Sequence, residues 1–293
     1  MAMRLANLMG TACLCVALFT FRGVAQEPPL PDLAVLVAKA RANVRLDSQL
    51  LSQYTYLERR ADIQVSKLAK VSTGPVKLYQ VYPGAEDIET YRRLIEVDGK
   101  PVPRAELDKQ DREHQREVLD AIAKREHESP RDRDKRLAKR EQARREEQQV
   151  IDELFRIYSF TIVGRQPIDG HPAIAVDFVP KANVATRTDE GKVMRKVKGR
   201  VWVSEEDYQI ARVQAEMLDD ISVLGFLGKL YKGTTASFER RKINNEIWLP
   251  AEARFDGSGR AFIRKFQVGT VIRYSDYRKF SVETDTTFAL PTK

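Results

Sequence analysis

Residues able to do acid–base or metal chemistry are few in this 293-residue chain, and their neighbours do little to activate them. His114 and His127 stand in very polar surroundings, and His171 falls in the turn-like Asp169-Gly170-His171-Pro172. A catalytic or metal-binding imidazole needs a low-dielectric setting and an orienting partner. None of the three shows one, so all read as surface histidines. The carboxylate pairs Glu205-Glu206 and Asp219-Asp220 sit at strand ends, where solvated turns account for them. A glycosidase would need two carboxylates held across a cleft. There is no phosphate-binding glycine loop, nucleophile elbow or His-Glu-x-x-His pattern. Both cysteines, Cys13 and Cys15, lie near the N-terminus, so the remainder has no thiolate nucleophile, disulfide or cysteine-ligated zinc. The expectation is a protein with no catalytic residue, no metal and no cofactor.

The chemistry that remains is apolar. Ile221–Tyr231 combines bulky apolar residues with Gly225 and Gly228 and lacks clean alternation. It reads either as a bulged strand buried in an ordinary core or as the lip of a cavity that an acyl chain enters. Burial contributes about 0.8 kcal/mol per methylene, so aliphatic and aromatic side chains suit such a ligand. The candidate lining is Trp202, Phe226, Leu230, Leu249, Phe255, Phe262 and Phe266. Arg264 interrupts the apolar face of Phe262, Phe266 and Val268 and is the candidate contact for a polar headgroup, or else marks a rim or bulge.

Elements must position these residues. Arg4, the apolar run Leu5–Phe21 and the small-x-small Gly23-Val24-Ala25 form an export signal, with cleavage expected near Ala25 and a mature N-terminus near Gln26. An uncleaved anchor is the competing reading. The predicted compartment is the periplasm. Cleavage removes Arg4 and Arg22, leaving 48 basic against 42 acidic side chains, a mildly basic protein with no call for nucleic acid. Asp32 is placed to cap a helix whose Leu33, Leu36, Val37, Ala40 and Val44 share one face. The period then changes to two at Tyr54–Glu58, Val76–Tyr82 and Tyr91–Val97, with Asp98-Gly99 as a hairpin turn.

Between 104 and 149, 27 of 46 residues are charged, and apolar side chains are few. Ser129-Pro130 provides a cap and a first-turn proline. The segment reads as two exposed helices inserted into the fold. A short Gly/Ser link in place of 106–148 is expected to leave cooperative folding. Within it, 131–145 holds eight basic residues against three acidic ones, a solvated face or a surface for an anionic membrane or an acidic partner. Strands resume at Ser159–Val163, Ala173–Val179, Gly199–Val203 and Tyr208–Met217, with a polar loop expected over Lys181–Lys198. Later, Ile247, Leu249, Ala251, Ala253 and Phe255 alternate with Trp248, Pro250, Glu252 and Arg254. The fold class is α+β, mainly antiparallel: a half-open curved sheet or barrel covered by helices. Its parts are a signal peptide at 1–25, a first portion at 26–103, the insertion at 104–149 and the remaining strands at 150–293.

Gly199-Arg-Val-Trp-Val-Ser-Glu-Glu-Asp-Tyr-Gln-Ile-Ala-Arg212 resembles the strand–turn–strand element of the LolA/LolB-like superfamily of exported lipid and lipoprotein carriers. Ile247–Phe255 and Tyr274–Phe280 resemble its late strands. The resemblance covers about 32–100 and 150–282, and the charged insertion departs from the compact carriers. It implies a half-open antiparallel barrel around covering helices, with a hydrophobic cavity between. It also implies one of two roles. One is a periplasmic carrier for a lipid or lipoprotein acyl chain, with peripheral membrane contact. The other is a periplasmic sensor or interaction module that binds a partner protein; in this chain the charged arm at 104–149 is the candidate surface for an envelope protein.

Overall fold

The computed structural model describes residues 28–44, 50–65, 71–84, 89–223, 228–261 and 264–279. The chain divides into two units, Met1–Leu30 and Pro31–Lys293, and the sheet belongs to the second. Fourteen strands pair antiparallel throughout: β1 (Tyr54–Val65), β2 (Val71–Thr73), β3 (Lys77–Tyr82), β4 (Tyr91–Val97), β5 (Lys100–Pro101), β6 (Tyr158–Arg165), β7 (Ala173–Pro180), β8 (Val197–Ser204), β9 (Ile210–Met217), β10 (Ile221–Val223), β11 (Gly228–Leu230), β12 (Thr235–Ile243), β13 (Ile247–Ala261) and β14 (Arg264–Lys279). Neighbours along the main path run β5-β4-β3-β1-β14-β13-β12-β9-β8-β7-β6. The path is open: β5 and β6 are its two ends. Register shifts in the β1–β14, β3–β4, β6–β7, β8–β9 and β12–β13 pairs mark bulges, which bend the strands.

Turn chemistry sets the hairpins as the sequence predicts. Asp98-Gly99 has φ of 50° and 76°, Asp169-Gly170 has 51° and 82°, and Asn244-Asn245 has 52° and 57°. Two consecutive left-handed residues are what a tight hairpin requires, and Asn, Asp and Gly tolerate them best. The expected segment Ile221–Tyr231 holds the β10–β11 pair, with 224–227 outside the described residues.

Four helices are described. In α1 (Leu33–Asn43) Asp32 caps Val35 N at 3.0 Å, and Leu36 and Ala40 are buried on the predicted face. The insertion forms α2 (Arg104–Glu126) and α3 (Pro130–Ile157), with Ser129 capping Asp132 N. Helix α3 runs eight residues past Gln149, because Leu154 and Ile157 have a core to enter. The polar loop is not wholly irregular: Thr188 caps a short α4 (Asp189–Met194). Among the described residues no helix is long and apolar enough to cross a membrane.

Register sorts the side chains onto two unlike faces. On one, opposed residues run Val176–Val201–Val213–Phe238–Ala253–Ile272 from β7 to β14. Beside that row runs Phe178–Gly199–Ala215–Ala236–Phe255–Thr270. Neither row holds a charge before β1, where Arg60 and Asp62 follow. On the other face the rows are Trp202–Arg212–Glu239–Glu252–Arg273–Arg59 and Asp177–Arg200–Gln214–Ser237–Arg254. Strict alternation produces this amphipathic sheet.

Candidate functional site

The apolar face is covered over part of its width. Helix α1 lays Leu36 and Ala40 on Ile174, Val176 and Val203. The end of α3 adds Ile157 and Leu154 beside Tyr158, Phe178 and Val201. Phe178 lies over Gly199, where a Cβ would stand 2.0 Å from the Gln214 carbonyl oxygen and 2.6 Å from the Phe178 ring, so the backbone and the aromatic together leave room only for glycine. At the far side a tyrosine cluster closes the surface. Tyr56 is 5.4 Å from Tyr277 and 5.9 Å from Tyr274 between ring centroids, and Tyr54 is 6.2 Å from Tyr277. A bulge at Asp276 (φ 52°) turns both Tyr274 and Tyr277 toward that cluster.

Between these two covered regions lies an open strip of Phe238, Ala253, Phe255, Thr270 and Ile272, half-buried, with Ala236 exposed. The Phe255 ring leans over Gly257, 2.9 Å from where a Cβ would be, so glycine again makes room for an aromatic. The Arg240 guanidinium lies 5.4 Å from the Phe238 centroid, and its Nη1 donates to Ile210 O. At the β1 border Arg60 pairs with Asp62 at 3.3 Å, and Thr270 Oγ1 donates to the same carboxylate at 3.0 Å. Glu58 is buried nearby, with Arg92 Nε at 3.3 Å. The strip is therefore an uncharged floor with polar groups at its margins, suited to a hydrocarbon chain with a polar end.

The sequence-predicted site residues are scattered. Phe255 stands in the open strip. Leu249 shares its face but is fully buried with Leu50 and Tyr54. Trp202 belongs to the opposite face, packed with Trp248, Ala175 and Ala211; its Nε1 donates to Gln166 Oε1 at 2.9 Å, and Arg212 lies 5.4 Å from its ring. Leu230 is half-buried in β11, opposite Gly259. Phe226 and Phe262 lie outside the described residues, as do the side chains of Arg264 and Phe266, whose backbones pair with Ala261 and Gly259. Phe238 escaped the sequence reading. Its strand runs into Glu239-Arg240-Arg241-Lys242, and the charged Arg240 and Lys242 stand at the alternate positions that would have had to be apolar to mark it.

The carboxylate pairs singled out in the sequence are held in ion pairs. Glu205 takes a bidentate bond from Arg165, and Glu206 binds Lys242 at 2.6 Å, with His171 Nδ1 at 3.6 Å. Lys242 holds the Glu206 carboxyl below its usual range. Asp219 and Asp220 bind Lys196 and Lys229. A groove of about 560 Å³ on the charged face is lined by Asp177, Lys198, Arg200 and Glu216. There Arg200 grips Asp177 at 2.6 and 3.0 Å and keeps its carboxyl below the ordinary value. Among the described residues no group of three or more His, Cys, Asp or Glu is arranged to hold a metal ion.

No protein-family model matches the chain, and no curated protein matches it. Solved structures do. A DUF1329 family protein from Desulfovibrio piger is 14% identical over 88% of this chain and 98% of its own, with a TM-score of 0.28. The LolA superfamily protein NE2245 from Nitrosomonas europaea is 10% identical over 87% and 97%, with a TM-score of 0.26. A chain of the Pseudomonas aeruginosa MucA/MucB complex is 9% identical over 85% and 99%, with a TM-score of 0.22.

Proposed function

We propose that this chain is an exported, non-enzymatic carrier that lays the acyl chain of a lipid or lipoprotein along the open strip. The supporting observation is the continuity of the two uncharged rows beyond their helical cover, leaving Phe238, Phe255 and Ile272 half-buried in the middle of a sheet. An ordinary core would be packed to crystal-like density. Burying a dozen methylenes would contribute about 10 kcal/mol before the costs of immobilisation, enough for micromolar affinity. The export signal read from the sequence supports a periplasmic location for the mature chain, where such ligands are handled.

The test is binding of a fluorescent fatty acid to the mature chain, compared with Phe255→Asp and Phe255→Leu. Wild type is expected to bind with a Kd in the micromolar range, about −8 kcal/mol. Phe255→Asp should keep cooperative unfolding and lose the probe, while Phe255→Leu keeps most of the affinity. Absence of probe binding in the wild type would overturn the carrier reading. It would leave the second one, an interaction module whose arm binds an envelope protein.

A further inference from the structure

The α2–α3 arm carries surface that the carrier strip does not use. Helix α2 has no buried residue, and the buried residues of α3 are Glu153 and Ile157, at its sheet end. Anchoring contacts lie near the roots. On α2, Gln110 bonds Leu94 N and O, Asp111 takes a bidentate bond from Arg93, and the His114 ring stacks on Tyr91 at 4.1 Å. Beyond the roots, Arg133, Leu137, Arg140 and Arg144 recur at i, i+4, i+7 and i+11, so they form one stripe of α3. The stripe holds no carboxylate. Leu137 is 47% exposed, Arg133 and Arg144 are exposed, and Arg140 is half-buried. On α2, Leu119 and Ile122 are also exposed, at 56% and 46%.

We propose that this stripe docks on a membrane surface rich in anionic phospholipid. Charge complementarity selects the occupant: 131–145 carries eight basic residues against three acidic ones. Arginine forks match phosphate oxygens bidentately. The stripe is straight and about 16 Å long, the span of a few headgroups. An exposed leucine among the arginines suits the boundary between headgroup and acyl chain better than the surface of an acidic protein. The inference stands on the arm alone and does not depend on what the open strip holds.

Flotation of the mature chain with vesicles tests it. Vesicles of phosphatidylcholine alone are compared with vesicles containing about a third phosphatidylglycerol. Wild type should bind the anionic vesicles at least about tenfold more tightly, and lose most of that binding in about 0.5 M NaCl, where screening is short-ranged. The Arg133→Glu/Arg144→Glu variant should lose about tenfold or more on the anionic vesicles, and Leu137→Ser a smaller factor. Fatty-acid probe binding, measured alongside, should be unchanged in both variants, which separates this proposal from the carrier reading. Equal binding to both vesicle types, or an unaltered double variant, overturns it. Failure to bind either vesicle also overturns it and points to an acidic protein as the occupant.

Discussion

Val201 and Phe238 stand in the same row of the same sheet face, separated by Val213. Val201 lies beneath the residues that α1 and α3 bring down; Phe238 belongs to the open strip. The chemistry of the row is continuous, so strand sequence alone does not make one end a core and the other a surface. Cover does, and it comes from outside the strands, from 33–43 and from the last two turns of the charged arm. A sheet that extends its apolar rows past its own lid has surface to spare for another molecule.

The sharpest way to break this comparison places the same charge in both halves. Val203→Asp, in the covered half at 3% exposure, should cost about 4 kcal/mol or more and abolish cooperative unfolding. Phe238→Asp should leave a cooperative transition within about 1.5 kcal/mol of wild type in chemical denaturation. If both variants unfold, the strip is an ordinary core.

A second test concerns the arm. Helices α2 and α3 join β5 to β6, which are the two ends of the strand path. A four-residue link reaches at most about 14 Å, whereas ten strand spacings of about 4.8 Å separate the edges along the sheet. Contrary to the expectation from composition alone, replacing 106–148 with so short a link should therefore lose cooperative thermal unfolding. A flexible link of about 40 residues should restore it, since its span is roughly 35 Å. Retained cooperativity with the short link would mean that the two edges approach closely.

The smallest effect sharpens the account of the lid itself. Glu153, 2% exposed, accepts from Thr188 Oγ1 and Arg187 N and pairs with Arg156 at 2.9 Å, tying α4 to α3. Burial pushes its carboxyl up, but the Thr188 and Arg187 bonds and the Arg156 charge outweigh this and leave it below the usual range. A carboxyl depressed on folding stabilises above its unfolded pKa and loses that contribution as pH falls through the folded value. Glu153→Gln should thus cost about 1–2 kcal/mol at neutral pH, and its deficit should shrink below about pH 4. A deficit independent of pH would assign the cost to packing.

Much of this architecture was legible in the sequence. The α1 face and the turn pairs follow from local chemistry, because each is decided within a few residues. The alternation expected over 247–255 does not hold throughout, since Ala251 is an extra residue in β13 and Trp248, Leu249 and Pro250 are all buried. The open strip was legible only at Phe255. Which face of β8 carries Trp202 depends on its pairing with Arg212, and which part of a face is covered depends on helices far off in sequence. Phe238 was hidden by Arg240 and Lys242, which put charge at the alternate positions that follow it. The arm's helices were plain from charge and caps, but its span between opposite edges follows from strand order alone.

Strand order also fixes a sequence of events in time. On one side of β14 lie β1, β3, β4 and β5; on the other lie β13, β12, β9, β8, β7 and β6. Tyr54 meets Lys279 across that seam. A chain emerging N-terminus first cannot join its two halves until its last strand has arrived. Until then β1 and β13 each present a bare edge, the surface on which nascent chains aggregate. Closure is long-range, so the final step should be slow, and a chain shortened before Arg264 would remain two unjoined half-sheets.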